Sequence, residues 1–546
     1  QFNFSRLFTQ GPNPVQSTTN GGYGLATFLL GDVTSGLFQL EQPISTRGLY
    51  YSFYAQDDWR VNHRLTLNLG LRYSLPVGDK EKYGRLAWFN PDAPNPQGPV
   101  VGLPDLKGMI GWLGNGISNQ LETDLNNFAP RFGFAYLLNQ KTVVRGGYGV
   151  YYQPRIIRGF GGGAGGAIEA SRNTDVVGTV DGVTPATTFS NPFPTGFLFP
   201  INDRNPLASE GSSIALPLRQ YRTGYVQLWN LDIQRQLPRN VLLGLDYNGN
   251  KGTKLITGSW NLNQLPDQYL SLGQKLNNLV PNPFYGIIMQ GALSGPSISL
   301  KQSLLPFPNY TGISQVNVPA GNSIYNAFTA RVEKRTSKGL AFLASYTWSK
   351  AIDDIGAPLD MENRQNERGL SSFNVPQRLV FSWTYQLPFG KGRTFGTGWN
   401  PAVNQVLGNW DFNGIMTLSE GQPVSIGRPS VNNGKSAALS NPTIDEWFNT
   451  SVFSPAAPFT FGNVGPVLSD VRQDGIKNFD LVLVKTFPFS IHDHAGQVEF
   501  RSEFFNAFNH PLFSAPNGSV TSSSFGKVTN QANTPRDIQF GLKLIF

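Results

Sequence analysis

A hydrophobic period of two that recurs along the whole chain is its strongest constraint. In the last ten residues, DIQFGLKLIF, the residues Ile538, Phe540, Leu542, Leu544 and Phe546 alternate with Asp537, Gln539, Gly541 and Lys543. Successive side chains of a strand point to opposite faces, so this ribbon has one greasy side and one polar side. That suits a strand with lipid outside and a polar lumen within, although a soluble sheet can end the same way. The recurrence upstream decides between them. Leu65, Leu67, Leu69, Leu71, Tyr73 and Leu75 oppose Thr66, Asn68, Gly70, Arg72 and Ser74. Phe128, Phe132, Phe134, Tyr136 and Leu138 oppose Ala129, Arg131, Gly133 and Ala135, and Leu379, Phe381, Trp383, Tyr385 and Leu387 oppose Val380, Ser382, Thr384 and Gln386. Val498, Phe500, Phe504 and Phe508 oppose Glu499, Arg501 and Glu503. This is a strand period and not a helical one. Several segments are about ten residues long, enough to cross a bilayer when tilted.

Composition agrees with a membrane barrel and excludes several other classes. Only 14% of the 546 residues are charged and 12% are aromatic, with 60 Gly and 39 Pro, and the mean hydropathy is −0.23. Alternating faces average to such a middling value, whereas a helical membrane protein scores higher. No run of about eighteen apolar residues is present, so no spanning helix is expected; the longest apolar patch of helical character, Leu25 to Leu30, is far too short. The absence of Cys removes disulfides, thiolate metal sites and thiol catalysis together. The formal charge of +8 comes from singly scattered Lys and Arg, without the stripe that nucleic acid requires.

The sequence predicts thirteen strands, at 49–60, 65–76, 128–138, 143–153, 221–236, 241–250, 323–335, 340–351, 376–388, 409–418, 477–487, 497–508 and 537–546. Tight connectors near Val61 to Arg64, Asn139 to Thr142, Pro238 to Asn240, Ser337 to Gly339 and Ser490 to Gly496 alternate with connectors of several tens of residues. Short periplasmic turns and long extracellular loops are the asymmetry of an outer-membrane barrel. One connector on the short side, from Phe389 to about Gly408, breaks the pattern. Phe2 to Thr9 would supply a fourteenth strand, with residues 10–48 as an external excursion, and an even count permits closure. Tyr50, Tyr51, Tyr54 and Trp59, Tyr148, Tyr151 and Tyr152, and Tyr346 and Trp348 lie near strand ends and read as interfacial girdles. The start, QFNFSRLFTQGP, lacks a signal peptide and opens inside an apparent strand, so residues 1–546 are expected to be the C-terminal barrel portion of a longer product.

Five stretches carry a family resemblance: YAQDDWRVNHRLTLNLGLRYSLP (54–76), NNFAPRFGFAYLLNQKTVVRGGYGVYY (126–152), SYTWSKAIDD (345–354), FNVPQRLVFSWTYQLPFGKGR (373–393) and RSEFFNAFNHPLFSAPN (501–517). In order and spread they resemble TonB-dependent outer-membrane receptors, in particular the Oar-like group frequent in Acidobacteria. The resemblance implies a 22-stranded barrel, a plug inside it and a periplasmic TonB box coupling to an inner-membrane motor. Plug, TonB box and about eight strands are missing here. It also implies energy-coupled uptake of a large solute such as a siderophore, oligosaccharide or peptide, with outer-membrane lipid, the barrel assembly machinery and the TonB complex as partners. Export or surface organisation is a further possibility. A passive porin and a secreted adhesin or glycan-binding protein are the rival readings.

Candidate sites are few. No Ser, His and acid arrangement suggests an enzyme, and no cofactor or metal is expected. The glycine stretch at 159–166 lacks the Gly-Lys-Ser/Thr ending of a phosphate loop. His492, Asp493 and His494 read as a solvated turn without a further ligand. The acids of 353–369 (Asp353, Asp354, Asp360, Glu362 and Glu367) could hold Ca²⁺, but Arg364 and Arg368 are at hand to pair them. Arg72, Arg131, Arg378, Glu499, Arg501 and Glu503 are the lumen-facing candidates, read as plug contacts in preference to solute contacts. Ile538, Phe540, Leu542, Leu544 and Phe546 form the candidate assembly signal. Trp88, Phe89, Trp112, Phe193, Phe197, Phe199, Phe284 and Tyr285 read mainly as loop packing, with stacking on a flat ligand as the other option.

Overall fold

Each segment with the period of two becomes a strand, and each pairs with its sequence neighbour. The computed structural model describes all residues except 11–21, 115, 154–170, 180–183, 195, 198, 201–203, 208, 290–292 and 492–493. Thirteen strands form one antiparallel path: β1 (Thr46–Arg60), β2 (Leu65–Glu81), β3 (Phe128–Asn139), β4 (Thr142–Tyr152), β5 (Tyr225–Leu237), β6 (Val241–Ile256), β7 (Pro319–Ser337), β8 (Leu340–Asp353), β9 (Gln377–Gln386), β10 (Trp410–Ser419), β11 (Ile476–Ile491), β12 (His494–Phe505) and β13 (Asp537–Ile545). The fourteenth strand of this sheet is the two-residue Gly369–Leu370, paired with β8. Strand order follows chain order, the simplest way to satisfy backbone groups where water is absent. Among the described residues no ladder joins β1 to β13, so the wall has two free edges.

The N-terminal segment departs from expectation. Phe2–Asn3 pairs with Ser35–Glu41, which pairs with Ser171–Val177 in a separate three-stranded sheet. The strand ends after two residues because the Ser5 hydroxyl accepts from the Leu7 amide and caps the 3₁₀ turn Arg6–Phe8. Phe2 to Thr9 is therefore not a wall strand. No helix is long and apolar enough to cross a membrane among the described residues. The glycine stretch 159–166 and the His492–Asp493 turn lie outside the described residues.

The anomalous connector after β9 has a local cause. Asn400 caps the helix Pro401–Leu407 by accepting from the Val403 amide, and proline occupies its first turn. Trp410 Nε1 donates to the Val406 carbonyl at 2.9 Å, and Lys485, only 2% exposed, donates its ammonium to the Gly408 carbonyl. The connector is a capped helix clipped to the wall.

The dry core lies in the long connectors, all gathered at one end of the wall. Residues 82–127, 153–224 and 257–318 share one cluster built on Phe89, Ile110, Ile214, Leu216, Tyr310 and Ile313. Ser213–Leu216 and Gly312–Gln315 support it as a parallel pair. A second cluster joins Val424, Ile426, Phe448, Val452 and Phe453 to Val520 and Phe525. Full burial of such side chains stabilises by about 1.5–3 kcal/mol each. Trp88, Phe89 and Phe284 are buried and Trp112 packs against the first cluster, so these loop aromatics are packing residues; Phe199 and Tyr285 are exposed.

Polar latches join successive loops. Glu210 Oε1 accepts from Asn95 Nδ2 (2.9 Å) and Asn309 Nδ2 (2.7 Å), tying three loops at one buried carboxyl. Burial pushes the Glu210 carboxyl above its ordinary range, against the opposing pull of Asn95, Asn309 and Gln97. Gln264 Nε2 reaches Asp360 Oδ1 at 3.0 Å, linking the third loop to the fourth. Glu367 and Arg428 then form a bidentate pair at 2.6 and 2.9 Å, with side chains 2% and 15% exposed.

Candidate functional site: the polar wall

Residues directly opposite in an antiparallel ladder share a face, so the register sorts every wall side chain. One face carries Leu67, Phe134, Leu231, Tyr247, Phe328, Trp348, Phe381 and Phe412. Many of its large side chains are strongly exposed, including Leu71 at 49%, Trp348 at 63% and Leu542 at 76%. A large exposed apolar surface of this kind requires an apolar medium. Its backbone is covered where glycine meets an aromatic: Trp229 lies over Gly249, Trp383 over Gly414 and Phe134 over Gly146. Its charged exceptions are Asp57, on the edge strand opposite Leu69, and cations such as Arg235, Lys251, Lys334, Lys350 and Lys485 toward the strand ends.

The other face is polar from edge to edge. One register row runs Arg145, Asp232, Asp246, Thr329, Thr347, Arg378 and Ser419 through seven successive strands, β4 to β10. Within it the Thr329 and Thr347 hydroxyls are 3.1 Å apart. Asp232 is buried and accepts from Gln234 Nε2 at 2.8 Å. Leu228, Leu343 and Ile415 are apolar interruptions on this face.

All six predicted lumen residues lie on the polar face, yet they do not converge. Arg72 Nε donates to Ser74 Oγ at 3.3 Å, and Arg131 stacks over the Tyr151 ring at 4.6 Å; these two arginines border one recess of about 220 Å³. Arg378 stands exposed between Thr347 and Ser419. Far along the sheet, Arg501 Nε lies 3.5 Å from both Glu499 and Glu503, its neighbours two residues away on the same strand face. Ile538, Phe540, Leu542 and Leu544 project from the apolar face at 46–76% exposure, and Phe546 beyond the strand is 93% exposed. The girdle reading needs correction at Tyr50, Tyr54 and Tyr151. They pair with Pro76, Arg72 and Val226 on the polar face, because a shift of one position turns a side chain to the other side.

Beside Arg131 the wall opens into a trough of about 540 Å³. Gly70, Gly133, Gly147 and Gly149 form its floor, and Gln56, Asn68, Asn230, Asn248 and Asn250 stand along it. Sequence reasoning missed these amides individually, since each is only one polar position in an alternating strand; register alone brings Asn230 opposite Asn248. In the loop at 353–369, Arg364 lies 3.9 Å from Asp354, and Glu367 pairs with Arg428 and not with Arg368. Burial first, then Asp360 and Glu362, raise the carboxyl of the adjoining Asp267. Among the described residues no group of three or more His, Cys, Asp or Glu is arranged to hold a metal ion.

A two-faced antiparallel wall with short turns at one end and folded loops at the other defines an outer-membrane β-barrel protein. The model of the outer membrane beta barrel domain family matches residues 1–539, and the chain belongs to that family. Its place is the bacterial outer membrane. No curated relative matches the chain. Among solved structures, it is similar to the outer membrane transporter YddB from Escherichia coli (11% identity, TM-score 0.40, 92% of this chain and 54% of that one). It is also similar to the ferric-catecholate import receptor Fiu from E. coli K12 (10%, 0.38, 92% and 45%) and to the pyoverdine outer membrane receptor FpvA from Pseudomonas aeruginosa PAO1 (12%, 0.38, 91% and 42%). The chain spans about half the length of these proteins or less.

Proposed function

We propose that this chain is the C-terminal barrel portion of a TonB-dependent, Oar-like outer-membrane transporter that takes up a large solute by energy-coupled import. The observation that carries the reading is the polar face, continuous over the strands from β1 to β13, backed by an apolar face of large exposed side chains. A bilayer cannot satisfy the unpaired backbone of β1 and β13, so further strands outside this chain complete closure, toward the 22 of the resembled family. Charges lining a barrel pair with a plug or face a water-filled path. In this reading Arg72, Arg131, Arg378 and the Glu499, Arg501 and Glu503 ladder contact a plug, and the long loops face the cell exterior. The outward row from Ile538 to Phe546 presents the barrel to the assembly machinery. The chemistry is binding and translocation, with no covalent step.

The test is uptake by cells carrying the full-length gene, with the inner-membrane TonB motor intact or deleted. Accumulation of solute that ceases on deletion or on collapse of the proton gradient is the expected result. Flux that is indifferent to both makes the protein a passive pore and overturns the proposal.

A further inference from the structure

We infer that the glycine-floored trough on the polar wall is a binding site for a neutral oligosaccharide. The inference rests on the reading of this face as a transporter lining and deepens it by naming the solute class.

The floor is open at Gly70 and Gly133, while Asn230 Oδ1 stands over Gly147 and the Tyr151 ring over Gly149. A Cβ built at Gly70 would meet nothing nearer than 3.7 Å, and one at Gly133 nothing nearer than 3.5 Å. On the apolar face the corresponding positions are filled, since a Cβ at Gly249 or Gly414 would strike the Trp229 or Trp383 ring within 2.4 Å. Glycine weakens a strand, and Gly70 on β2 and Gly133 on β3 leave backbone accessible to something that lies flat against it.

The sides of the trough are carboxamides. Asn230 and Asn248 face each other across β5 and β6, roughly 4.8 Å apart as neighbouring strands are. Both are exposed, and Asn250 and Gln56 flank them in the next register row. An amide offers two donors and an acceptor with two lone pairs, which matches vicinal hydroxyl groups that must both give and accept protons. Tyr151 is sandwiched between Gly149 and the Arg131 guanidinium, and Tyr325, opposite Asn250, presents a ring surface near the same row. Rings of this kind pack against the C–H faces of a pyranose while their hydroxyls stay wet.

Arg131 is the one charged residue lining the trough, which favours a neutral ligand over an anionic one. An anionic chelate or phosphate would call for a cluster of unopposed cations. Here Asp58 accepts from Asn68 at 2.6 Å, the Arg131 guanidinium is stacked, and Arg145 lies opposite Asp232, with Asp246 on that residue's other side. A peptide is recognised through pockets for alternate side chains, whereas Gly70 and Gly133 offer flat backbone.

The experiment uses the full-length protein, purified in detergent and checked for folding by its heat-modifiable gel mobility. It is probed with a microarray of neutral and uronate-containing glycans and then by calorimetry with the best neutral hexasaccharide. Selective binding of neutral glycans is expected. Asn230→Leu with Asn248→Leu should weaken it roughly tenfold or more, through hydroxyls left without partners. Gly133→Leu, which fills the trough without a clash at Cβ, should do the same. Absence of binding across the array, preference for uronates, or affinity unchanged in these folded variants overturns the inference. Motor-dependent uptake is measured separately, so a failure here leaves the transporter reading standing.

Discussion

The wall and the loops of this protein are held together in opposite ways. The wall buries little: its apolar side chains point outward, and its order comes from thirteen ladders whose backbone groups are paired strand to strand. The loops bury Phe89, Phe284, Tyr310 and Phe448 almost completely and bind one another through Glu210, Gln264–Asp360 and Glu367–Arg428. One region is solvated by lipid and needs no interior; the other faces water and has built one. Substitutions should therefore separate the two, with loop changes altering local stability and leaving membrane insertion intact.

The largest effect is expected at the buried ion pair. Glu367→Ala leaves the Arg428 guanidinium uncompensated and should destabilise the loops by about 3–5 kcal/mol. Hydrogen exchange at 354–376 and 420–475 would show it, with wall strands unchanged; equal loss of protection in β5 and β6 would break the distinction. Next, Leu231→Arg places a charge on the lipid face and should cost about 2–4 kcal/mol, whereas Thr384→Arg on the polar face should cost little. Urea unfolding of the full-length protein in lipid vesicles measures both. Gly414→Ala drives a methyl group into the Trp383 ring and should cost about 1–3 kcal/mol, while Gly70→Ala is tolerated.

The smallest effect concerns pH. Burial raises the Glu210 carboxyl above its value in the unfolded chain, so the folded loops bind that proton more tightly. Their stability is greatest below the unfolded value and falls as pH rises through the raised one. Glu210→Gln keeps an acceptor for Asn95 and Asn309 and should flatten this dependence, read as exchange protection of 95–110 between acidic and neutral pH.

How much of this was legible follows from the same division. Strands such as Leu65–Glu81 and Gln377–Gln386 declare themselves because a two-sided medium imposes the period of two residue by residue. The loops carry no such imposed period. Ser213–Leu216 pairs in parallel with Gly312–Gln315, almost a hundred residues away, and neither segment signals the other. The helix Pro401–Leu407 had a local signal in Asn400 followed by Pro401, which the strand pattern overshadowed. Phe2 to Thr9 misled because two alternating aromatics suffice to imitate a strand, while Ser5 quietly ends it. The polar face was readable strand by strand, but the trough was not. Asn68, Asn230 and Asn248 meet only through a register that no single segment encodes.

No cysteine occurs in residues 1–546, so a single cysteine placed in the two-faced wall is the only thiol within them. Single cysteines placed in turn at positions 226–236 of the full-length protein, spin-labelled in native outer membranes, report collision with oxygen in lipid and with a water-soluble nickel chelate. Odd positions, among them Leu231 and Ile233, should favour oxygen and even positions, among them Asn230 and Gln234, the chelate. Equal water access at both sets, or no alternation at all, would contradict a wall set between lipid and lumen.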